Sequence, residues 1–410
     1  MGWLGLDDTD HLGGGCTTWT MHVVLSNLPR GVRPLNDPCL VRLYPMAKAR
    51  TRGNAALAAE LHVDIPREEW FAWLQQMWKE HVAPLAGRRT ESSHATRKQV
   101  ASDPGMVWFE NKPSSRFYSL AVRQETSLAE APKPDWEAGG LGKIGAIAAV
   151  SWPNEVSTWE GIAWRGELDG PRTLDENVLK HLDGDQRLVA CRDPRQGRGL
   201  LAPRGTSPVL FGLRGTVRSA VKDGMAALMA GSGTEPNTGS SLFRTNQGSG
   251  DHLTAPTSAT VEKVQVLRGG HVALTTSDGT WLAFAPSGPV RDLAAQLMPG
   301  DRVLGIGLVG EDEGRKGRHL EALKHLSGPV RQRRRPSCTA CGRRMKSAGR
   351  DQGLRCPTCK HRDVDRWVGE EVMPTAWIQP PVDRRRHLAP DINTWASERP
   401  DWTEQGPAPS

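Results

Sequence analysis

Much that would place this chain quickly is missing from it. No apolar run reaches the ~18 residues a membrane-spanning helix needs. The opening MGWLGLDDTD puts acids where a secretory leader needs a positive start and an apolar stretch. Gly2 lacks the downstream Ser/Thr pattern of a myristoylation site. The G-x-x-x-x-G-K-[ST] loop is absent, which argues against an ordinary P-loop nucleotide site, and no internal repeat is visible. Cysteine is sparse, at seven residues. Cys16, Cys39 and Cys191 are scattered and odd in number, a poor disulfide framework. His11, His94 and His387 show no metal-ligand spacing. The expectation is a cytoplasmic protein without membrane contact. Its net charge of +7 does not suit a salt-saturated cytoplasm.

The other four cysteines are not scattered. Cys338, Cys341, Cys356 and Cys359 form two C-x2-C pairs fourteen residues apart, the spacing with which two tight turns close a tetrahedral zinc site. Between Val330 and His387 there are 15 Lys and Arg against 6 Asp and Glu, a balance of +9. The remainder of the chain therefore sums to about −2. A cationic patch on a small rigid module is a means of holding phosphate backbones. Arg333, Arg334, Arg335, Arg343 and Arg344, with Arg385 and Arg386 beyond Pro380-Pro381, are the candidate RNA contacts.

At 410 residues the chain has room for three or four domains. Trp3–Leu6 reads as a strand running into Asp7-Asp8-Thr9-Asp10, followed by a glycine turn and a helix from Cys16 to about Asn27. Strands are expected at Cys39–Tyr44 and Ala55–Val63, and a helix from Trp70 to Ala86. After the Gly139–Gly145 break, Ile144–Trp152 reads as a buried strand and Ser157–Trp164 as an extended piece. A helix is expected at Leu174–Leu182, with strands at Arg187–Arg192 and Val209–Arg214. Two strand–helix–strand units suggest a ferredoxin-like sandwich. Residues 231–254 read as a loop. Val261–Leu267, Val272–Thr276, Trp281–Phe284 and Arg302–Leu308 alternate as short strands between turn signals, as in an OB-type barrel.

Four constellations carry chemistry. Asp7, Asp8 and Asp10 crowd carboxylates at a strand end, an arrangement that Mg²⁺ with bound phosphates would neutralise. The helix start at Cys16-Thr17-Thr18 offers backbone N–H groups and two hydroxyls to phosphate. Arg50, Arg52, Gly53 and Asn54 form a basic turn suited to a triphosphate. Phe243, Arg244, Asn246, Gln247, Asp251 and His252 share a polar loop of the kind that binds ligand.

Gly5-Leu6-Asp7-Asp8-Thr9-Asp10 and Gly15-Cys16-Thr17-Thr18-Trp19 resemble the opening of the archaeal isoleucine-tRNA 2-agmatinylcytidine synthetases. So do Thr51–Asn54, Trp159–Arg165, Pro208–Gly215, the FRTNQG loop at Phe243–Gly248 and the Arg385–Leu388 tail. The resemblance implies attachment of agmatine to carbon 2 of the wobble cytidine in the CAU-anticodon isoleucine tRNA, which then reads AUA. ATP is converted to AMP and phosphate through a phosphorylated base. It also implies that Asp7, Asp8 and Asp10 hold Mg²⁺–ATP, and that Thr17, with Thr18 beside it, is autophosphorylated. The agmatine guanidinium would meet Asp251 and Phe243. His11, Arg204-Gly205 and Gly250 depart from the family pattern.

The expected fold is α+β multidomain. Residues 1–138 form an ATP-binding kinase-like domain, and 139–254 a ferredoxin-like domain with an agmatine-binding loop. Residues 255–328 form an OB-fold β-barrel that binds tRNA, and 329–410 a zinc ribbon and basic tail. Two other readings stand beside this one. One is a non-catalytic tRNA-binding protein built on the barrel and ribbon, which would have no need of three clustered acids. The other is a kinase-like enzyme that modifies another RNA base.

Overall fold

The computed structural model describes residues 1–11, 15–49, 54–88, 100–155, 157–166, 170–192, 199–203, 207–312, 314–329, 331, 334–366, 368 and 373–393. The first unit contributes β1 (Gly2–Asp7), β2 (Val32–Pro34), β3 (Cys39–Arg42), β4 (Ala55–Val63), β5 (Gly105–Phe109) and β6 (Trp136–Gly139). Its helices are α1 (Thr17–Ser26), α2 (Arg67–Met77), α3 (Arg116–Ala121) and α4 (Gly142–Val150). Strand β4 shows why the sheet is covered on both faces. Leu57, Ala59 and Leu61 join Met21 and Val24 of α1 and Trp70 and Leu74 of α2 in one core. On the other face, Ala56 and Ala58 pack under α3 and α4. The period-two alternation of the strand sorts the large side chains from the small ones.

Helix α4 corrects one expectation. Ile144–Trp152 reads as a buried strand, yet residues 142–150 are helical and pack on β1, β4 and β5. The run is apolar all round, and seven of its nine residues are buried. Hydrophobic periodicity cannot separate such a helix from a strand.

The second unit contains β7 (Thr158–Trp164), α5 (Glu176–Asp183), β8 (Leu188–Val189), β9 (Val209–Gly215), α6 (Arg218–Ala230) and β10 (Gly239–Thr245). Helices α5 and α6 cover one face of its strands through Leu179, Leu182, Val221 and Leu228. Strand β10 lies inside the stretch expected to be a loop. It pairs antiparallel with β7 and parallel with β3, through Arg244↔Cys39 and Thr245↔Leu40. The two units thereby share one ten-stranded sheet, ordered β6-β5-β1-β4-β3-β10-β7-β9-β8 with β2 paired to β4.

The third unit is a closed five-stranded barrel of β11 (Thr257–Val266), β12 (Val272–Thr276), β13 (Gly279–Ala283), β14 (Arg302–Asp312) and β15 (Arg315–Ser327). Helix α7 (Pro289–Gln296) lies between its third and fourth strands. The order β11-β12-β13-β15-β14 is a Greek key of the OB type. Strand β15 and α7 are not legible in the turn pattern. The barrel seats on the first unit where the Tyr44 hydroxyl donates to the Val309 carbonyl at 3.0 Å. Past it, β16 (Lys346–Ser347), β17 (Leu354–Arg355) and β18 (Arg362–Asp363) form a three-stranded ribbon.

Asn246, just after β10, fastens the joint between the first two units. Its side-chain oxygen accepts from the Arg42 backbone N–H at 2.7 Å, and its amide donates to the Arg42 carbonyl and the Tyr118 hydroxyl. Asn246→Ala would leave these buried groups unpaired, at a cost on the order of 3 kcal/mol. A urea titration should show a lower midpoint with an unchanged slope. An unchanged midpoint would mean that the joint does not rest on this side chain.

Candidate active site and zinc centre

Strand β1 ends at Asp7, and the chain turns there through Asp8 in the left-handed region, at φ 57°. Asp8 is held by the Asp103 backbone N–H, which donates to its carboxylate at 2.8 Å. The Asp7 carboxylate rests on the first turn of α4 at Gly145. A Cβ there would stand 1.8 Å from Asp7 Oδ2, so only glycine fits. Burial, reinforced by the charge of Asp8, pushes the Asp7 carboxyl well above its usual range. Burial pushes Asp8 up to about 7, and the charges of Asp10 and Asp103 add to the effect. Burial thus holds two of the three acids off their charged form, a cost that a bound cation would relieve.

Asp7, Asp8 and Asp10 line a cavity of about 370 Å³. Its other walls are apolar at Leu43, Leu128 and Ile144 and polar at Asn54, Lys48 and Glu125. The lining thus combines carboxylates with apolar side chains and one lysine. Asn54 has φ 42° and donates to the Tyr44 carbonyl at 2.6 Å. Arg50, Arg52 and Gly53 lie outside the described residues.

A second cavity, about 250 Å³, lies in the cleft between the first two units and shares Asp10, Asn54 and Ala55 with the first. Thr17, Thr18, Arg42, Glu160 and Arg214 line it. The two threonines differ. Thr18 Oγ1 accepts from Trp164 Nε1 at 3.2 Å and sits 2.9 Å from Cys16 Sγ. Thr17 Oγ1 is buried with no hydrogen-bond partner.

The sequence did not single out Glu160, Arg42 or Arg214. Glu160 is buried and contacts Arg42 at 3.5 Å, Arg214 at 3.1 Å and Gln247 Nε2 at 2.5 Å. Burial raises its carboxyl, but the two guanidiniums outweigh this and hold it below the ordinary value. It is therefore an anion at neutral pH that fixes two cations on the cleft wall. The signal was in the Trp159–Arg165 motif, but its partners come from β3, β9 and the segment after β10.

The polar loop is divided by the structure. Gln247 reaches the cleft through Glu160. Phe243 is fully buried in the first unit's core and lines neither cavity, so it offers no face to a ligand there. Arg244 points to the other side of the sheet, over the Trp159 ring at 5.8 Å. Asp251 accepts from the Tyr118 hydroxyl at 2.7 Å. His252 is buried and stacks on His387 at 4.8 Å, and burial lowers its imidazole to about 4.

In the ribbon, the sulfurs of Cys338, Cys341, Cys356 and Cys359 lie within 4.8 Å of one another. A tetrahedral zinc with bonds of ~2.3 Å requires sulfurs ~3.8 Å apart, so the donor set fits that ion. Arg334, Arg343 and Arg344 are exposed around it. Arg335 pairs with Asp365, and Arg333 lies outside the described residues. Arg385 donates to the Pro380 and Ala389 carbonyls, and Arg386 pairs with Glu321 of the barrel. These last two tie the tail to the rest of the chain.

The Asp8 shift has a pH signature. The unfolded carboxyl ionises near 3.8, whereas the folded one holds its proton to about 7. The folded state therefore binds more protons between those values, and stability falls as pH rises from about 4 to about 7. With nucleotide and divalent cation absent, urea midpoints should decline across that window, and Asp8→Asn should flatten the decline. An unaltered slope in the variant would refute the assignment. Cys356→Ser should release zinc and unfold the ribbon while leaving ATP turnover intact; a zinc-free variant with a folded ribbon would contradict this.

Residues 3–134 match the family model described as the TiaS TCKD domain, 140–252 the TiaS FLD domain, and 335–370 the TiaS C-terminal zinc ribbon domain. The isoleucine-tRNA 2-agmatinylcytidine synthetase TiaS of Methanocorpusculum labreanum is 30% identical over 428 residues, covering 94% of this chain and 95% of that one. The crystal structure of apo TiaS superposes with a TM-score of 0.74 at 26% identity, covering 95% and 97% of the two chains. A complex of TiaS with its isoleucine tRNA and ATP superposes at 0.71, also at 26% identity, covering 95% and 96%. No helix among the described residues is long and apolar enough to cross a membrane. Likeness at this length, in sequence and in fold, is that of kinship: the chain belongs to the isoleucine-tRNA 2-agmatinylcytidine synthetase family, TiaS.

Proposed function

We propose that this chain joins agmatine to carbon 2 of the wobble cytidine of the CAU-anticodon isoleucine tRNA, using ATP and one water and releasing AMP and two phosphates, one carrying off the cytosine oxygen and one released by hydrolysis. The observation that carries this is the meeting of two cavities at Asp10 and Asn54. One has carboxylates and apolar walls, as a nucleotide site would, and the other is lined by Arg42, Arg214 and Thr17, whose buried hydroxyl has no hydrogen-bond partner. A protein that only bound tRNA would have no use for this arrangement, since its acids repel phosphate.

The chemistry follows from the groups present. A cytosine carbonyl oxygen leaves poorly, and phosphorylation turns it into phosphate. The amine nitrogen then forms its bond to carbon 2 as the carbon–oxygen bond breaks. Arg42 and Arg214 face the cleft and balance charge developing on the phosphoryl oxygens. Asp7 and Asp8, with Asp10 beside them, would hold Mg²⁺, which supplies charge neutralisation to the bound triphosphate. Thr17 is the phosphoacceptor in this reading, because its hydroxyl is unengaged whereas that of Thr18 is held by Trp164.

The division of labour is part of the proposal. Residues 1–138 are the kinase-like, ATP-binding domain, and 139–254 the ferredoxin-like domain; by packing, α4 serves the first. The barrel and the ribbon's exposed arginines grip tRNA in the cytoplasm, with zinc structural.

Incubation with ATP, Mg²⁺, agmatine and CAU-anticodon isoleucine tRNA should give a cytidine heavier by agmatine less one water, read by nucleoside mass spectrometry. Asp8→Asn should abolish ATP turnover at near-normal tRNA affinity. Thr17→Ala should remove label transfer from ATP to protein, and Thr18→Ala should keep it. ATP consumption without a modified cytidine would send the assignment to another base or amine.

A further inference from the structure

A third cavity, about 480 Å³, opens on the opposite side of the α1 start from the cleft and shares Cys16 with it. Strand β7 runs along both. Ile162 lines the cleft and Trp164 the third cavity, two residues and therefore about 7 Å apart. The wall also alternates at the next strand, with Val209 in the cleft and Pro208 in the third cavity. The spaces are neighbours along one wall, and nothing in the chemistry above uses the third.

Its walls have a definite character. Trp19 is half-buried, with its ring 5.3 Å from Trp164 in an edge-on contact and 5.4 Å from His22. Arg88 is exposed at the rim, its Nε donating to the Pro84 carbonyl at 3.1 Å, and His81 and His11 stand with it. Arg165 is also present, with its charge met by Glu235 at 3.1 Å. No Asp or Glu is among the described lining residues, and Glu80 stands 3.9 Å from His81. An aromatic ring beside an exposed guanidinium suits a flat guest that carries an anionic group.

We propose that this cavity receives a nucleotide of the tRNA strand immediately flanking the reacting cytidine, its base against Trp19 and its phosphate toward Arg88 and His81. The proposal rests on the RNA substrate assigned above. It gives the enzyme a handle on sequence beside the reacting base, since splaying one base out of a loop exposes its neighbours to stacking.

The test pairs protein variants with RNAs that lack single bases. Anticodon stem-loops are made intact, or abasic at the nucleotide 5′ or 3′ of the cytidine, and dissociation constants and agmatinylation kinetics are measured for each. For wild type, one abasic position should weaken RNA binding between about five- and a hundred-fold, the range of base–aromatic stacking. Trp19→Leu should weaken the intact RNA similarly and show little further loss with that abasic RNA, with the KM for agmatine unchanged. Arg88→Ala, at an exposed position, repeats the test if Trp19→Leu disturbs packing. Abasic and variant losses that multiply in full would overturn the proposal. So would a rise in the KM for agmatine in place of that for RNA, which would assign the cavity to the amine. Because binding is read separately from turnover, failure of wild type to modify the intact RNA would count against the function and leave the cavity testable.

Discussion

Two backbone pairings, Arg244↔Cys39 and Thr245↔Leu40, make two units into one sheet, and the chemistry depends on that seam. Two parallel pairs are a weak ladder. Asn246 makes up the deficit by bonding both backbone groups of Arg42 at the seam's end. The consequence is geometric. Asp7, Asp8 and Asp10 follow β1 on one side of the joint, and Glu160 stands on β7 on the other. Only a fixed seam lets the cavity beside those acids open onto a cleft shared with the next unit.

Both units supply charge at that seam. Burial leaves Asp7 and Asp8 reluctant to ionise, in a cavity that Lys48 also lines. Glu160 of the second unit is buried too, but Arg42 of β3 and Arg214 of β9 keep it ionised. Two guanidiniums around one carboxylate therefore stand next to two carboxyls held off their charged form. The left-handed turn at Asp8 and the Gly145 contact hold the acids together, strain of the kind that collects at sites of chemistry.

How much of this could be read beforehand varied with how local the determinant is. The aspartates at the end of β1, the four clustered cysteines and four of the five barrel strands lie in short motifs or alternating runs, and the structure has them there. Strand β10 and α4 were missed because their surroundings decide them. Gly239–Thr245 is polar and glycine-flanked, and becomes a strand because β3 and β7 offer it edges. Phe243 looked like part of a ligand loop, but on a strand its position makes it face the core. Arg385 and Arg386 looked like an RNA-binding run; their partners, among them Glu321 of the barrel, are distant in sequence or are backbone carbonyls. Glu160 was inside a recognised motif, but its role exists only once three other segments meet around it.

The tail has a further part in this geometry. The Gly248 N–H donates to the His387 carbonyl at 2.8 Å, one residue past the Gln247 that touches Glu160. Arg386, the preceding tail residue, is ion-paired to barrel strand β15. The ribbon is therefore an excursion with both stems anchored on the barrel: Arg331 bonds Asp301 on the way out, and Ile378 bridges Leu323 on the way back. The returning chain then presses on the loop that orients Glu160. His387 adopts φ 50° to do so, a conformation a non-glycine residue keeps only where its surroundings impose it. A basic run at the end of such a chain invites the reading of a nucleic-acid tail. Its spatial partners make it a brace that links the barrel to the loop beside the cleft.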